Sequence, residues 1–419
     1  MLETLARAVR VKDIRQRLAF TAFMIFLFRL GAHVPVPGIN TDVIAQLFRE
    51  GTIFALIDLF SGGAFKTFSI FAMTIYPYIN ASIIVQLLTV VIPSWEEMAK
   101  EEDGRKKLAQ YTRYGAVILG LVQGTGMAFA MKHQGALINP GFMSMATVVV
   151  TLTAGTAFLM WLGELTTEKG IGNGISIIVF AGIVSRYPGD IANMIALYRA
   201  GRIGIWNVAV FAAMALVILA GIIFITEGER RIPVQYAKRV VGRKVYGGQS
   251  THIPMKINQA GVIPVIFAQS VLAFPPTIAS FINAPWARTL EAVFDYRKPG
   301  YMLAYALLIL FFTYFYTAIT FNPAEVANNM KKYGGFIPGI RPGRPTAEFL
   351  TRILGRITLV GAIFLAVVAT LPNVVMKLTN IPGISLGGTA LLIVIGVTIE
   401  TMKQLEAHLI MRQYQGFLK

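Results

Sequence analysis

The 419-residue chain has no cysteine, only four histidines and little charge: 14% of its residues are Asp, Glu, Lys or Arg. Without cysteine there are no disulfides, no thiol catalysis and no thiolate-held metals. His33, His133, His252 and His408 fall in separate segments with no ligand spacing, so no metal site and no cofactor are expected. Gly62 to Thr67 (GGAFKT) loosely resembles a phosphate loop but has Phe65 where a glycine should precede the lysine, which excludes a nucleotide site there. Gly170 to Gly174 (GIGNG) lacks dinucleotide spacing and a preceding strand and is expected to be a tight turn. No nucleophile stands beside a base, so no catalytic residue is expected.

Apolar length is what the chain has in abundance. Apolar residues make up 55% of it, far more than a soluble domain of this size carries. A bilayer core of roughly 30 Å needs about 20 helical residues. Candidate spans lie at 18–36, 69–92, 114–131, 146–163, 175–193, 205–225, 259–282, 301–321, 353–375 and 386–402. The expected fold class is an all-α polytopic membrane protein. The first apolar run has no small-residue cleavage site after it, so it is expected to be retained as the first span, preceded by a short surface helix with Leu2, Leu5, Ala6 and Val9 on one face.

Ten spans put both termini on one side. With the termini included, the loops on that side carry 25 Lys and Arg against 10 in the opposite set, which places both termini in the cytoplasm. The formal charge of +17 is accounted for largely by this bias and by anionic lipid headgroups, so basicity alone does not indicate nucleic-acid binding. Two halves of five spans have opposite orientations, the arithmetic of an inverted repeat. The expected division is 1–187, an external hinge at 188–204, and 205–419.

Residues Phe54 to Phe60 (FALIDLF) form an apolar segment too short to cross a bilayer, ending at Ser61, Gly62 and Gly63. It is either a re-entrant element shielded by protein or an external interfacial helix. The spans hold almost no charge, whereas ion-coupled transporters place ionisable groups near the midplane. Arg29 is the exception, open to structural pairing, snorkelling or a transport role. Ile75 and Ile79 share one face of the second span around Pro77. A ring of such side chains could close a pore by dewetting, although for any single Ile a lipid-facing or core-packing role is the better reading. Two cytoplasmic loops, 227–258 and 322–352, are cationic. The first suggests an extended hairpin with Arg243 and Lys244 near its tip, the second a rigid turn rich in Gly and Pro. Either sets topology or docks an acidic partner such as ribosomal RNA or a cytosolic motor in a salt-sensitive way.

The segments Phe60 to Gly63 (FSGG), Ile75 to Ile79 (IYPYI), Gln110 to Gly115 (QYTRYG), Gly170 to Ser176 (GIGNGIS), Arg230 to Pro233 (RRIP), Ala260 to Pro264 (AGVIP) and Gly335 to Gly343 (GFIPGIRPG) together resemble the bacterial SecY family, channel-forming subunits of the Sec protein translocon. They run through nearly the whole chain in that family's order. The resemblance implies a central hourglass pore between the two five-helix halves, in the bacterial cytoplasmic membrane. It implies a plug near 54–68, comprising Phe54, Leu56, Ile57, Leu59, Phe60, Ser61, Gly62 and Gly63. It implies a pore ring of Ile75, Ile79, Val179, Ile266, Ser270 and Ile393. A lateral gate would lie where the second and third spans meet the seventh and eighth, with Gln86 and Gln123 as polar positions facing it. Arg230, Arg231, Arg243, Lys244 and Arg341 would dock the ribosome or the SecA ATPase. The implied partners are SecE, SecG, SecA, the ribosome with its nascent chain, signal peptides and lipid. The implied activity is passage of unfolded secretory chains and lateral release of apolar segments. The rival reading is an ion-coupled secondary transporter of a small solute.

Overall fold

The computed structural model describes residues 11–44, 62–236, 239–241, 244–246, 250–280, 286, 289, 293–294, 298–379 and 388–417. Within them, every expected span falls on a helix: α1 (Lys12–Gly31), α2 (Tyr76–Val91), α4 (Glu102–His133), α5 (Phe142–Lys169), α6 (Gly174–Val184), α8 (Ile205–Glu227), α9 (Ile263–Ser280), α10 (Pro299–Thr320), α12 (Arg344–Thr379) and α13 (Gly388–Phe417). Seven described helical stretches are long and apolar enough to cross a membrane, eight if α2 and α3 (Pro93–Lys100) count as one span bent by 106°. Ile92, extended at φ −101° and ψ 110°, makes that bend and Pro93 starts α3, because the residue before a proline is pushed out of the helical region.

Three boundaries differ from expectation. The first span ends at Gly31, since Pro35 and Pro37 cannot continue a helix; Val34 and Val36 instead bond in strand-like fashion to Ile70 and Phe68. The second span is helical only from Tyr76, and residues 62–75 form consecutive turns, with positive φ at Gly62, Gly63, Phe68 and Thr74. That irregular stretch is packed in protein: Phe65, Phe68 and Ser69 are fully buried, as backbone without helical bonding must be at membrane depth. The expected hinge carries a helix, α7 (Tyr187–Arg199), reached through a break at Ser185 and Arg186.

Gly170 to Gly174 is the expected turn, with Gly172 at φ +85°. Asn173 Oδ1 accepts from Ile175 N and Ser176 N, capping α6, a bond worth about 1 kcal/mol. Arg113 pairs with Glu164 at 2.7 Å, tying α4 to α5.

The two cationic loops contain β-structure that the all-α class does not describe. β1 (Glu229–Tyr236) pairs antiparallel with β4 (Ser250–Lys256), and β2 (Arg239–Val241) pairs with β3 (Lys244–Tyr246) nearer the tip. The hairpin expected at 231–246 therefore exists and its ladder runs on to Lys256. β5 (Gly335–Phe336), following α11 (Pro323–Lys332), adds to the other edge of β1. Ile232, Val234 and Met255 from the hairpin share one core with Met330, Ile337 and Leu350, so the two cationic loops form one body.

In the first half α1, α2, α4, α5 and α6 pack together; in the second, α8, α9, α10, α12 and α13 do so. The halves meet where α6 lies on α13 and α2 on α9. On α8 only 6% of the apolar window is buried, against 56% on α13, so α8 offers its surface to lipid or to a partner chain.

Candidate functional site

The junction of the halves is built from short aliphatic side chains. Pro77 sits in the first turn of α2, where its fixed φ suits a helix start, and this places Ile75 at the N-cap and Ile79 one turn inside. Val179 comes from the middle of α6. Ile266, Gln269 and Ser270 come from the first two turns of α9. Together with Thr74 and Tyr76 these residues line one cavity of about 10 Å³, room for a single water at most. Ile393 of α13 belongs to the same apolar cluster as Ile75 and Val179, with Ile266 packed against it. Ile75 and Ile393 are each 1% exposed, Val179 8% and Ser270 3%. Five of the six expected ring residues thus line this narrow cavity, and Ile393 shares an apolar cluster with two of them.

Polar atoms flank the closure. Tyr76 donates its hydroxyl to the Ser270 carbonyl at 3.4 Å, bridging α2 and α9 across the halves. Ser270 Oγ and Gln269 Oε1 are buried without a hydrogen-bond partner. Thr74 carries a φ of +49°, a strained value for a β-branched residue, costing on the order of 1–3 kcal/mol. Sequence reading missed Thr74, Tyr76 and Gln269. Their only signal was adjacency to ring positions, since neither backbone strain nor an unpaired amide leaves a mark in composition.

The seam beside the constriction is closed as well. Ile83 is buried in the second half's core with Phe267, Leu272 and Phe312, and Ile79 and Leu87 pack against the same group. Gln86 turns back on its own helix, donating Nε2 to Ser82 Oγ at 3.3 Å. Gln123 is half-buried on α4.

Of the expected plug, Phe54, Leu56, Ile57, Leu59, Phe60 and Ser61 lie outside the described residues. Gly62 is buried and Gly63 half-buried. A Cβ on Gly62 would stand 2.6 Å from Gly182 Cα, so this strand of backbone lies directly against α6.

On the body formed by the two cationic loops, Arg230 and Arg231 are exposed on β1, and Arg231 donates to Glu229 Oε1 at 2.7 Å. Arg341 is exposed in the turn before α12, its carbonyl held by the Thr346 hydroxyl at 2.8 Å. Lys244 lies in β3, and Arg243 falls outside the described residues. Among the described residues no group of three or more His, Asp or Glu could hold a metal ion.

Known proteins align with this arrangement. A family model described as SecY matches residues 69–402. The protein translocase subunit SecY of Halalkalibacterium halodurans is 51% identical over 432 residues, covering the whole of both chains. A solved structure of a SecY protein, whose plug domain is described as stabilising the closed state of the translocation channel and maintaining a membrane seal, superposes with TM-score 0.66 at 17% identity, over 94% of this chain and 92% of that one. Sec61 from the canine ribosome–channel complex of the endoplasmic reticulum superposes with TM-score 0.61 at 17% identity, over the same shares. At these identities the two superpositions bear on the fold.

Proposed function

The chain belongs to the SecY family, and from that premise we propose how it works. It is a multi-pass membrane protein that forms a protein-conducting channel. The observation that carries the mechanism is the closed aliphatic constriction at the junction of the two halves, where Ile75, Val179 and Ile393 from three different spans share one apolar cluster. Short aliphatic chains close a pore against water and ions by refusing to be wetted, and they give way to a passing polypeptide because they make no directional bond with it. An unfolded secretory chain threads between them. An apolar segment instead leaves sideways, parting α2 from α9 where Ile83 shares a core with Leu272. Partition follows transfer free energy: an apolar residue gains a few tenths of a kcal/mol, and a charged one loses about 2.5–3.5 kcal/mol, at the bilayer centre. The channel makes and breaks no bond. A small-solute transporter would need a charged coupling site near the midplane, and the constriction is lined by none.

The membrane is the bacterial cytoplasmic membrane, with both termini inside, as the bias in loop charge supports. The segment 54–68 is the plug. The hinge lies at 188–204 and the two halves rock about it. Gln86 and Gln123 face the lateral gate. SecE and SecG complete the complex, with SecA or the ribosome supplying the push. Arg230, Arg231, Arg243, Lys244 and Arg341 form the docking face for either one. Their loops being joined through β1 and β5 supports a single docking face.

A single cysteine at Ile79 in this otherwise cysteine-free chain tests the path. With a stalled secretory chain carrying its own cysteine, oxidation is expected to yield a disulfide that depends on the substrate. No crosslink there or at Ile266, with the chain shown to be engaged, would sink the ring assignment. For docking, reversing charge at Arg341 together with Arg230 is expected to weaken binding of SecA or ribosomes at least tenfold and to flatten its salt dependence. Unchanged affinity would leave these arginines as topology determinants only.

A further inference from the structure

Arg29 stands in the last turn of α1, and the constriction makes no use of it. Its Nη1 donates one hydrogen to the Gly62 carbonyl at 2.9 Å and the other to Ser185 Oγ at 3.0 Å. The Ser185 hydroxyl in turn reaches the Gly182 carbonyl at 2.7 Å. The Ser185 hydroxyl also lies 3.4 Å from the Gly62 carbonyl, so its single proton serves either acceptor, while both hydrogens of Nη1 are used. Gly62 is at φ +63° with its Cα face laid against Gly182, so a side chain there would be both strained and obstructed. Three pieces of chain remote in sequence, the end of α1, the C-terminal end of α6 and the backbone entering the second span, are locked at one carbonyl oxygen.

We propose that Arg29 and Ser185 are positioning residues that latch the Gly62 carbonyl and thereby hold the plug's C-terminal foot against the first half, keeping the resting channel sealed. This rests on the reading of 54–68 as the plug. A buried carbonyl has a strong preference for a donor, and a guanidinium gives a charge-assisted bond that is short and geometrically defined. The latch lies entirely on the first half, so opening the lateral seam between α2 and α9 need not break it.

A simpler role for Arg29 is to complement the negative end of the α1 dipole, which requires its charge but neither Ser185 nor Gly62. The variants separate the two. The complete translocon complex would be reconstituted in planar bilayers and its resting ion conductance measured for Arg29→Gln, Arg29→Lys, Ser185→Ala and a deletion of residues 54–61. The latch predicts about tenfold higher resting conductance for Arg29→Gln, a smaller rise for Ser185→Ala, and near wild-type sealing for Arg29→Lys, which keeps a donor in reach. If the deletion leaks while Arg29→Gln and Ser185→Ala stay sealed, the latch is wrong and the plug reading stands. If Ser185→Ala stays sealed and only Arg29→Gln leaks, the dipole role is sufficient and the latch is overturned. A deletion that stays sealed removes the plug reading and the latch with it.

Discussion

Ile75→Asn is expected to raise resting ion conductance of the reconstituted channel by one to two orders of magnitude and to admit secretory chains with weakened signals. Ile75 is 1% exposed and meets Val179 and Ile393 in a shut apolar cluster. Burying an amide there without partners costs about 1–3 kcal/mol, and that penalty falls on the closed state alone, because an open, wetted pore solvates the amide. A shift of 1.4 kcal/mol is about tenfold in the closed-to-open ratio. The change also disturbs packing, so Ile75→Leu serves as the control: it conserves volume, typically costs less than about 1.5 kcal/mol, and keeps the seal. Single-channel recording at matched amounts of protein distinguishes a wetted pore from a misfolded one. An asparagine variant as tight as wild type would mean that the seal is made elsewhere.

Gly155→Ala is expected to be strongly damaging. Gly155 lies inside α5, where helix propensity by itself favours alanine by about 1 kcal/mol. The added Cβ would overlap the Ile70 carbonyl, and Phe71 Cδ1 stands 3.4 Å away. The obstacle is backbone of the irregular 62–75 stretch, which cannot swing aside as a side chain would. The predicted sign is therefore opposite to propensity, with a loss of 3 kcal/mol or more, in the exceptional range for one substitution. Gly189→Ala is the counterpart: nothing lies within 4 Å of its Cβ in α7, and it is expected to be neutral or slightly stabilising. Thermal unfolding of the detergent-solubilised protein, with the amount inserted in the membrane, reads both. A neutral Gly155→Ala would show that the turn stretch does not pack on α5 as described.

Nothing in the sequence tells which of the two glycines is obstructed: Gly155 lies in an expected span and Gly189 in the expected hinge. The same limit applied to the spans in a milder form. Apolar length located all ten, yet α8, almost bare of protein contacts, is more apolar as a stretch than α13, most of which is buried. In lipid, hydropathy reports what can enter the membrane and is silent on what faces protein. The 69–75 stretch was taken into the second span for the same reason: it is apolar enough, and only the left-handed turns at Phe68 and Thr74 and the neighbours that shield them reveal that it is not helical.

The sequence alone determined what the bilayer enforces locally. A backbone crossing hydrocarbon must bond to itself, so spans can be counted, loop charge orients them, and the absence of cysteine and of charged coupling sites removes whole classes of chemistry. Conserving those rules needs no knowledge of neighbours. The tertiary structure decided which side chains meet. It brought Ile75, Val179 and Ile393 into one closure, joined two cationic loops through β1 and β5, and gave Arg29 its carbonyl and its serine. Those outcomes depend on packing between helices far apart in the chain, where contacts of a few ångströms are settled by the shapes of both partners together and by neither segment alone.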